Sequence, residues 1–166
     1  MLATSRRLLG SEEDARETVQ EAFVQAFRNI GGFEGRSSLG TWLYRIAVNT
    51  ALMRMRAQRR RPEASIDDLL PDFDLDGCRF EPLWQLDETV ESMVQRDQVR
   101  VLVRQSIDAL PTDYRVILVL RDIEGHDTAT VAKILEISRE AVKTRLHRAR
   151  AALKKLLEPL YQGGTL

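Results

Sequence analysis

The stretch "RPEASIDDLLPDFDLDGCRFEPLWQ", residues 61–85, decides what this chain can build. Its three prolines, one glycine and closely spaced acids interrupt any helical period that tries to cross it. On both sides of it apolar residues recur at helical spacing. The chain is therefore expected to be all-α, two small helical domains joined by an acidic linker. The boundaries fall at 1–61, 62–92 and 93–166. Leu69, Leu70, Phe73, Leu75, Phe80, Leu83 and Trp84 are scattered through the linker. Two readings stay open there, a solvated spacer and a linker that docks its apolar residues on a partner.

Charge follows the same partition. The formal net charge is zero, but residues 1–61 carry 11 basic and 6 acidic side chains, 62–92 carry 1 and 10, and 93–166 carry 13 and 9. Two basic blocks flank an acidic one, so the blocks, unlike the total, speak about partners. Hydrophobic residues make up 43% of the chain, enough for a core. No apolar run approaches the roughly 18 residues of a membrane span, and the first residues lack the pattern of a secretory signal. The lone cysteine, Cys78, cannot form an internal disulfide, which fits a reducing interior. A cytoplasmic location without direct membrane insertion is expected.

In the first block Ser11 is the expected N-cap of a helix, with Asp14 three residues on. Ala15, Val19, Ala22, Phe23, Ala26, Phe27 and Ile30 form its expected inner stripe, and Glu17, Gln20, Glu21 and Gln25 its outer face. After "GGFEGRSS" a second helix is expected from about Ser38, with Leu39, Trp42, Leu43, Ile46, Ala47 and Thr50 inward. It ends in "MRMRAQRRR", basic enough to meet a polyanion.

In the last block Val99, Val103, Ile107 and Leu110 mark one helix, and Pro111 suits the first turn of the next. The run "YRVILVLRDI" is apolar almost all round and reads as a buried central helix closed by Gly125. "DTATVAKILEIS" is a helix of about two turns, followed by a tight turn at Glu136-Ile137 and a new helix capped by Ser138. Two helices across so short a turn make a helix-turn-helix. Val131, Ala132, Leu135, Ile137, Val142 and Leu146 are its expected inward positions.

The second of these helices carries "SREAVKTRLHRARAALKKLL", residues 138–157, with seven basic side chains against one acid. Val142, Leu146, Ala149, Leu153 and Leu156 give it one apolar stripe, and the cations lie off that stripe. Each cation that neutralises a phosphate releases a counterion, so such a face favours DNA. Arg139, Glu140, Lys143 and Thr144 are placed to reach base edges, Arg145, His147, Arg148 and Arg150 to hold backbone, and Ser138 at the cap joins them as a DNA contact. An enzyme is not expected: the two histidines and the single cysteine have no metal spacing, and no glycine-rich phosphate loop precedes a helix. No cofactor, metal or small-molecule substrate is expected.

At "DARETVQEAF" (14–23), "TWLYRIAVNTA" (41–51) and "VKTRLHRARAAL" (142–153) the chain resembles the bacterial RNA polymerase sigma factors of the extracytoplasmic-function group. The resemblance implies one helical domain for the −10 promoter element and a helix-turn-helix domain for the −35 element. It implies binding to core RNA polymerase at the clamp helices of the largest subunit and at the flap region. Glu17, Gln20 and Glu21 of "ETVQE" would grip the clamp. The loop "FEGRSS" would capture a base flipped out of melted promoter DNA, with Phe33 as stacking face and Arg36, Ser37 and Ser38 as donors. Trp42, Arg45, Asn49, Arg54 and Arg56 would lie on the helix facing the −10 DNA, although Phe33 and Trp42 also fit core positions. The linker would thread toward the RNA exit path. Its residues could extend to about 100 Å, enough for two separated promoter elements. An anti-sigma protein is a further partner implied by the family.

Some positions depart from the family pattern. Glu17 stands where Asp is usual, Glu136 where Gly is common, and "GHDTATVA" replaces a more acidic stretch. The family usually begins with a helix well upstream of "SRRLLG", so a fragment, a late start or a truncated member is expected. The competing reading is a helix-turn-helix regulator that binds DNA alone, which would leave "ETVQE" and the "FEGRSS" loop without a task.

Overall fold

The computed structural model describes residues 1–58, 65–71 and 90–162, with side chains for 1–58, 65–71 and 99–158. Phe73, Leu75, Cys78, Phe80, Leu83 and Trp84 lie outside the described residues. All regular structure among the described residues is helical, in two helical units, with α1 (Leu2–Leu9), α2 (Glu12–Asn29) and α3 (Leu39–Gln58) forming the first. The second contains α4 (Val90–Ala109), α5 (Thr112–Leu118), α6 (Thr128–Leu135) and α7 (Arg139–Gln162).

Local chemistry sets the boundaries. Gly10 adopts φ +74°, closing α1 with its N–H on the Arg6 carbonyl, a geometry that costs glycine little. Ser11 caps α2 by accepting from the Asp14 N–H at 3.2 Å. Pro111 stands one position earlier than expected, as N-cap of α5. The buried run continues as a π turn over Val119–Ile123 and reverses at Gly125, φ +73°.

In the helix-turn-helix, Asp127 caps α6 by accepting from the Thr130 N–H at 2.7 Å. Glu136 ends α6 in the left-handed conformation, φ 56° and ψ 41°. The N–H groups of Glu136 and Ile137 both reach the Ala132 carbonyl. Ser138 then caps α7 through the Ala141 N–H at 3.0 Å. Val131, Ala132, Val142 and Leu146 are buried as expected, Leu135 and Ile137 only partly, and Ile134 joins them as an unexpected core residue.

The first unit corrects the expected phase of its stripes. Ala15, Thr18, Ala22 and Ala26 are the buried line of α2, whereas Phe23, Phe27 and Ile30 face outward, Phe27 at 82% exposure. Leu39 is likewise exposed. On α3 the buried residues are Ala47, Val48, Thr50, Ala51, Leu52 and Met55. Small residues on both helices let α2 and α3 approach closely, so the bulky side chains one position away are turned out.

One apolar cluster joins the two units. Leu8, Val48, Ala51, Leu52 and Met55 pack in the same core as Val116, Ile117, Val119, Leu120, Val131 and Ile134. The buried guanidinium of Arg115 donates to the Leu8 carbonyl at the end of α1 and pairs with Asp108 at 3.0 Å, where the α1 dipole favours a cation. Arg7 with Glu124, Arg45 with Glu136 and Arg56 with Asp113 also cross the seam. The His126 and Tyr44 rings meet edge to face with centroids 5.1 Å apart. Each fully buried aliphatic side chain contributes about 1.5–3 kcal/mol, against about 0–1 for an exposed ion pair. The apolar seam therefore dominates the association of the units.

Part of the acidic segment also docks on the chain itself. Ile66–Leu69 form a 3-10 turn, and Ile66 is buried with Leu110, Ala149, Ala152, Leu153 and Leu157. The Lys155 ammonium donates to the Leu70 carbonyl at 2.7 Å.

Candidate nucleic-acid and polymerase interfaces

The outer face of α2 presents Glu17, Gln20 and Glu21 to solvent. Gln25 donates to Glu21 at 3.1 Å. Arg54 of α3 reaches across to the same face, hydrogen-bonded to Glu17 and 3.1 Å from Asp14. That bond to Glu17, followed by the fields of Glu17 and Asp14, raises the guanidinium pKa above its ordinary value against the opposing cost of burial. Arg54 thus ties α3 to α2 and is less open to DNA than its position in "MRMR" suggested. Sequence reasoning missed that Phe23, Val24 and Phe27 are exposed on this helix. An apolar face beside the acids enlarges what a protein partner could grip. The periodicity of α2 fits both stripes, so only the small-residue line could have signalled the choice.

The "FEGRSS" loop and α3 enclose a cavity of ≈ 520 Å³ lined by Phe33, Arg36, Ser37, Trp42 and Arg45 together with Lys133 and Glu136 of the other unit. Phe33 and Trp42 are neither core plugs nor free. Their half-buried rings lie 5.4 Å apart at 52°, an arrangement favourable for aromatic pairs. Arg36 is exposed and pairs with Glu34. Ser38 uses its hydroxyl locally, accepting from the Thr41 N–H at 3.1 Å and sharing a hydrogen bond with the Thr41 hydroxyl at 2.9 Å. It is the start of α3 rather than a free donor. Ser37 is exposed and leans on the Ser38 carbonyl at 3.4 Å. Arg45 pairs with Glu136 at 3.2 Å, Arg56 with Asp113 at 3.1 Å, and Asn49 is half-buried on the same helix. Lys133, which the sequence did not single out, completes the cavity's cationic rim.

On α7 the nine expected residues fall into two groups. Ser138, Arg139, Glu140, Lys143, Thr144 and His147 are exposed. At 100° per residue, Arg139, Glu140, Lys143, Thr144 and His147 share an arc of about 140°. Ser138 also caps the helix, so its hydroxyl is engaged. Arg145, Arg148 and Arg150 are half-buried and paired with carboxylates. Arg145 lies 3.4 Å from Asp113. Arg148 pairs with Asp67, sits 6.0 Å above the Tyr114 ring and reaches its hydroxyl at 3.4 Å. Arg150 makes two bonds to Asp122, at 2.9 and 2.6 Å, which raise its pKa above the ordinary value despite burial. Charge-assisted pairs of this bidentate form are the strong ones. Chemically the helix offers one open cationic face and a second set of arginines already paired with carboxylates.

Among the described residues no helix is long and apolar enough to cross a membrane, and no group of acids, histidines and cysteines could hold a metal ion.

Comparison with known proteins agrees with this geometry. The family "Sigma-70 region 2" matches residues 1–61 and "Sigma-70, region 4" matches residues 100–153. The chain is 38% identical over 159 residues to the RNA polymerase sigma-H factor of Pseudomonas aeruginosa, covering 93% of this chain and 78% of that protein. It is 36% identical over 149 residues to the ECF RNA polymerase sigma-E factor of Escherichia coli, covering 89% and 75%. Its fold is similar to the sigma factor RpoE in complex with the anti-sigma factor NepR from Bartonella quintana, with TM-score 0.61 and 24% identity over 95% of this chain and 89% of that one. CnrH in complex with the cytosolic domain of CnrY is similar at TM-score 0.60 and 24% identity, over 99% and 82%.

Proposed function

The chain belongs to the sigma-70 family, in its extracytoplasmic-function group, and directs RNA polymerase to promoters; from that premise we propose how its surfaces divide the work. The exposed arc of α7 reads the −35 element. Arg139, Glu140, Lys143 and Thr144 face base edges, and His147 with the arginines further along holds phosphates. The cavity beside Phe33 and Trp42 takes a base flipped out of the −10 element, which favours strand opening because extrusion costs a few kcal/mol that stacking returns in part. Arg36, Ser37, Arg45, Asn49 and Arg56 attend the adjoining backbone.

Glu17, Gln20 and Glu21 grip the polymerase clamp, with Phe23, Val24 and Phe27 adding apolar area. The second unit meets the flap region. Catalysis belongs to the polymerase, and the chain works in the cytoplasm. An anti-sigma protein is a fitting regulator, since a sigma factor of similar fold is seen in complex with the anti-sigma factor NepR.

The observation that carries this reading is the coexistence, in one chain, of an acidic and apolar face on α2 with two separate cationic surfaces. A regulator acting alone has no use for the first. Titration of labelled core polymerase tests it. The Glu17→Ala, Gln20→Ala, Glu21→Ala triple variant should lose core affinity at least tenfold while keeping its helicity and its affinity for a −35 duplex. Unchanged core affinity would remove the role of this face.

A further inference from the structure

The spacing of Val99, Val103, Ile107 and Leu110 predicts one inward stripe on α4, yet of these only Leu110 is fully buried. Val99, Val103 and Ile107 stay half-buried, where the stripe borders a groove between α4 and the end of α1. The groove has a volume of ≈ 920 Å³, within the roughly 300–1,000 Å³ of small-molecule sites. Its floor is aliphatic, with Val119 and Ile123 of the π turn adding to the α4 stripe. Ile123 is 43% exposed, so hydrocarbon surface remains there for a ligand to cover.

Beside the apolar floor the rim is cationic. Arg100 and Arg104 follow Val99 and Val103 by one position, so they form a second line along the same helix. Arg6 and Arg7 of α1 supply the other wall. Asp108 is the one carboxylate among the described residues that line the groove, and it already lies 3.0 Å from Arg115. Arg6 and Arg7 pair with Glu12 and Glu124. Both arginines are exposed, so these pairs hold weakly and each guanidinium keeps further donors. The described lining residues include no aromatic ring, amide or hydroxyl side chain, and therefore nothing that would stack on or read a nucleobase. From Val99 to Ile107 the floor runs about 12 Å at 1.5 Å per residue. That is short for a partner helix, since specific protein interfaces bury about 800 Å² a side.

We propose that the groove between α1 and α4 binds a single-chain anionic amphiphile of the fatty-acid class, its hydrocarbon chain on Val99, Val103, Ile107 and Ile123 and its carboxylate on the arginine rim. The two halves of such a ligand match the two halves of the groove. Hydrocarbon leaves water for an aliphatic trough, and a carboxylate meets guanidinium groups in charge-assisted hydrogen bonds. A free anion without a chain would find the cations but leave the floor wet, and a neutral amphiphile would cover the floor but leave the rim unanswered. The site shares no residue with the surfaces assigned to promoter DNA or to polymerase, so it stands independently of that reading.

The test is calorimetric titration of the full-length chain with octanoate, decanoate and laurate, each below its micelle concentration. Laurate should bind saturably at one site, and affinity should rise about twofold to fourfold per added methylene along the series. Dodecyl maltoside, with the same chain and a neutral head, should bind about tenfold more weakly than laurate, as should the variant Arg6→Gln, Arg104→Gln. The control Arg16→Gln, Arg28→Gln removes the same charge elsewhere and should leave laurate affinity unchanged. Ile123→Gln, at an exposed position, should blunt the gain per methylene, and circular dichroism confirms that each variant keeps its helicity. Should the double variant lose helicity, Arg104→Gln alone should still weaken laurate more than it weakens dodecyl maltoside. Uptake of laurate without saturation, equal affinity for dodecyl maltoside, or equal losses in the rim and control variants overturn the proposal. So does binding to phosphatidylglycerol vesicles without binding of monomeric laurate, which would make the rim a membrane contact. A synthetic acidic amphipathic helix that binds the rim arginines while laurate does not would make the groove a protein-docking site and overturn it equally.

Discussion

The Phe33 ring lies 5.4 Å from the Trp42 ring, tilted by 52°, at the cavity between the "FEGRSS" loop and α3. In the proposed reading this pair is the aromatic platform for a flipped base. Phe33→Ala should weaken open-complex formation by about 1–3 kcal/mol, the usual worth of one stacked base, and leave −35 duplex binding unchanged. Phe33→Tyr should retain most of the activity. Permanganate reactivity of −10 thymines reads the effect; full reactivity in Phe33→Ala would remove the stacking role.

On α7 the exposed and paired cations should behave differently. Lys143→Ala or Arg139→Ala should cost about 1–3 kcal/mol on the preferred −35 sequence and much less on others. Arg150→Ala should weaken all sequences alike and flatten the salt slope. Binding measured on a panel of −35 variants checks this. Uniform losses for all three substitutions would contradict the division between base reading and backbone holding.

Glu136 sits in left-handed backbone with φ 56°. A side chain there costs on the order of 1 kcal/mol, more than its exposed pair with Arg45 returns. Glu136→Gly should therefore raise unfolding stability by about 1 kcal/mol in a denaturant titration. A loss of stability would show that the carboxylate contributes more than the strain.

The Asp127 cap makes the fold sensitive to acid. Its carboxylate pKa is lowered from the ordinary 3.8, first by the backbone N–H of Thr130. A depressed folded-state value means the stabilisation is present above the unfolded pKa and lost as pH falls through the folded one. From about pH 5 down to about pH 3, thermal stability of the wild type should drop further than that of Asp127→Asn, which can cap without ionising. Parallel declines would place the acid-sensitive step elsewhere.

Much of this architecture was legible in the sequence because it depends on local chemistry. Ser11 and Ser138 cap where their side chains can reach, Gly125 turns the chain, and the cations of α7 lie off its apolar stripe. What could not be read was the phase of α2 and the seam. The period that places Ala15, Ala22 and Ala26 inward also fits Phe23 and Phe27, and only packing against α3 separates the two stripes. Similarly, nothing near Arg45 or Arg148 in the chain signals Glu136 or Asp67, 91 and 81 positions away. Ion pairs of that separation follow from tertiary packing. Docking of this segment was half visible, since Leu69 and Leu70 stood out in an acidic stretch, but the buried Ile66 and its target on α7 were not.

The most direct test of the whole account is nuclease footprinting of a promoter selected from a random pool, with chain and core polymerase together and each alone. Two protected stretches, the −35 and the −10, should appear only with both proteins present. The same two-part footprint from the chain without polymerase, or no change when core is added, would contradict it.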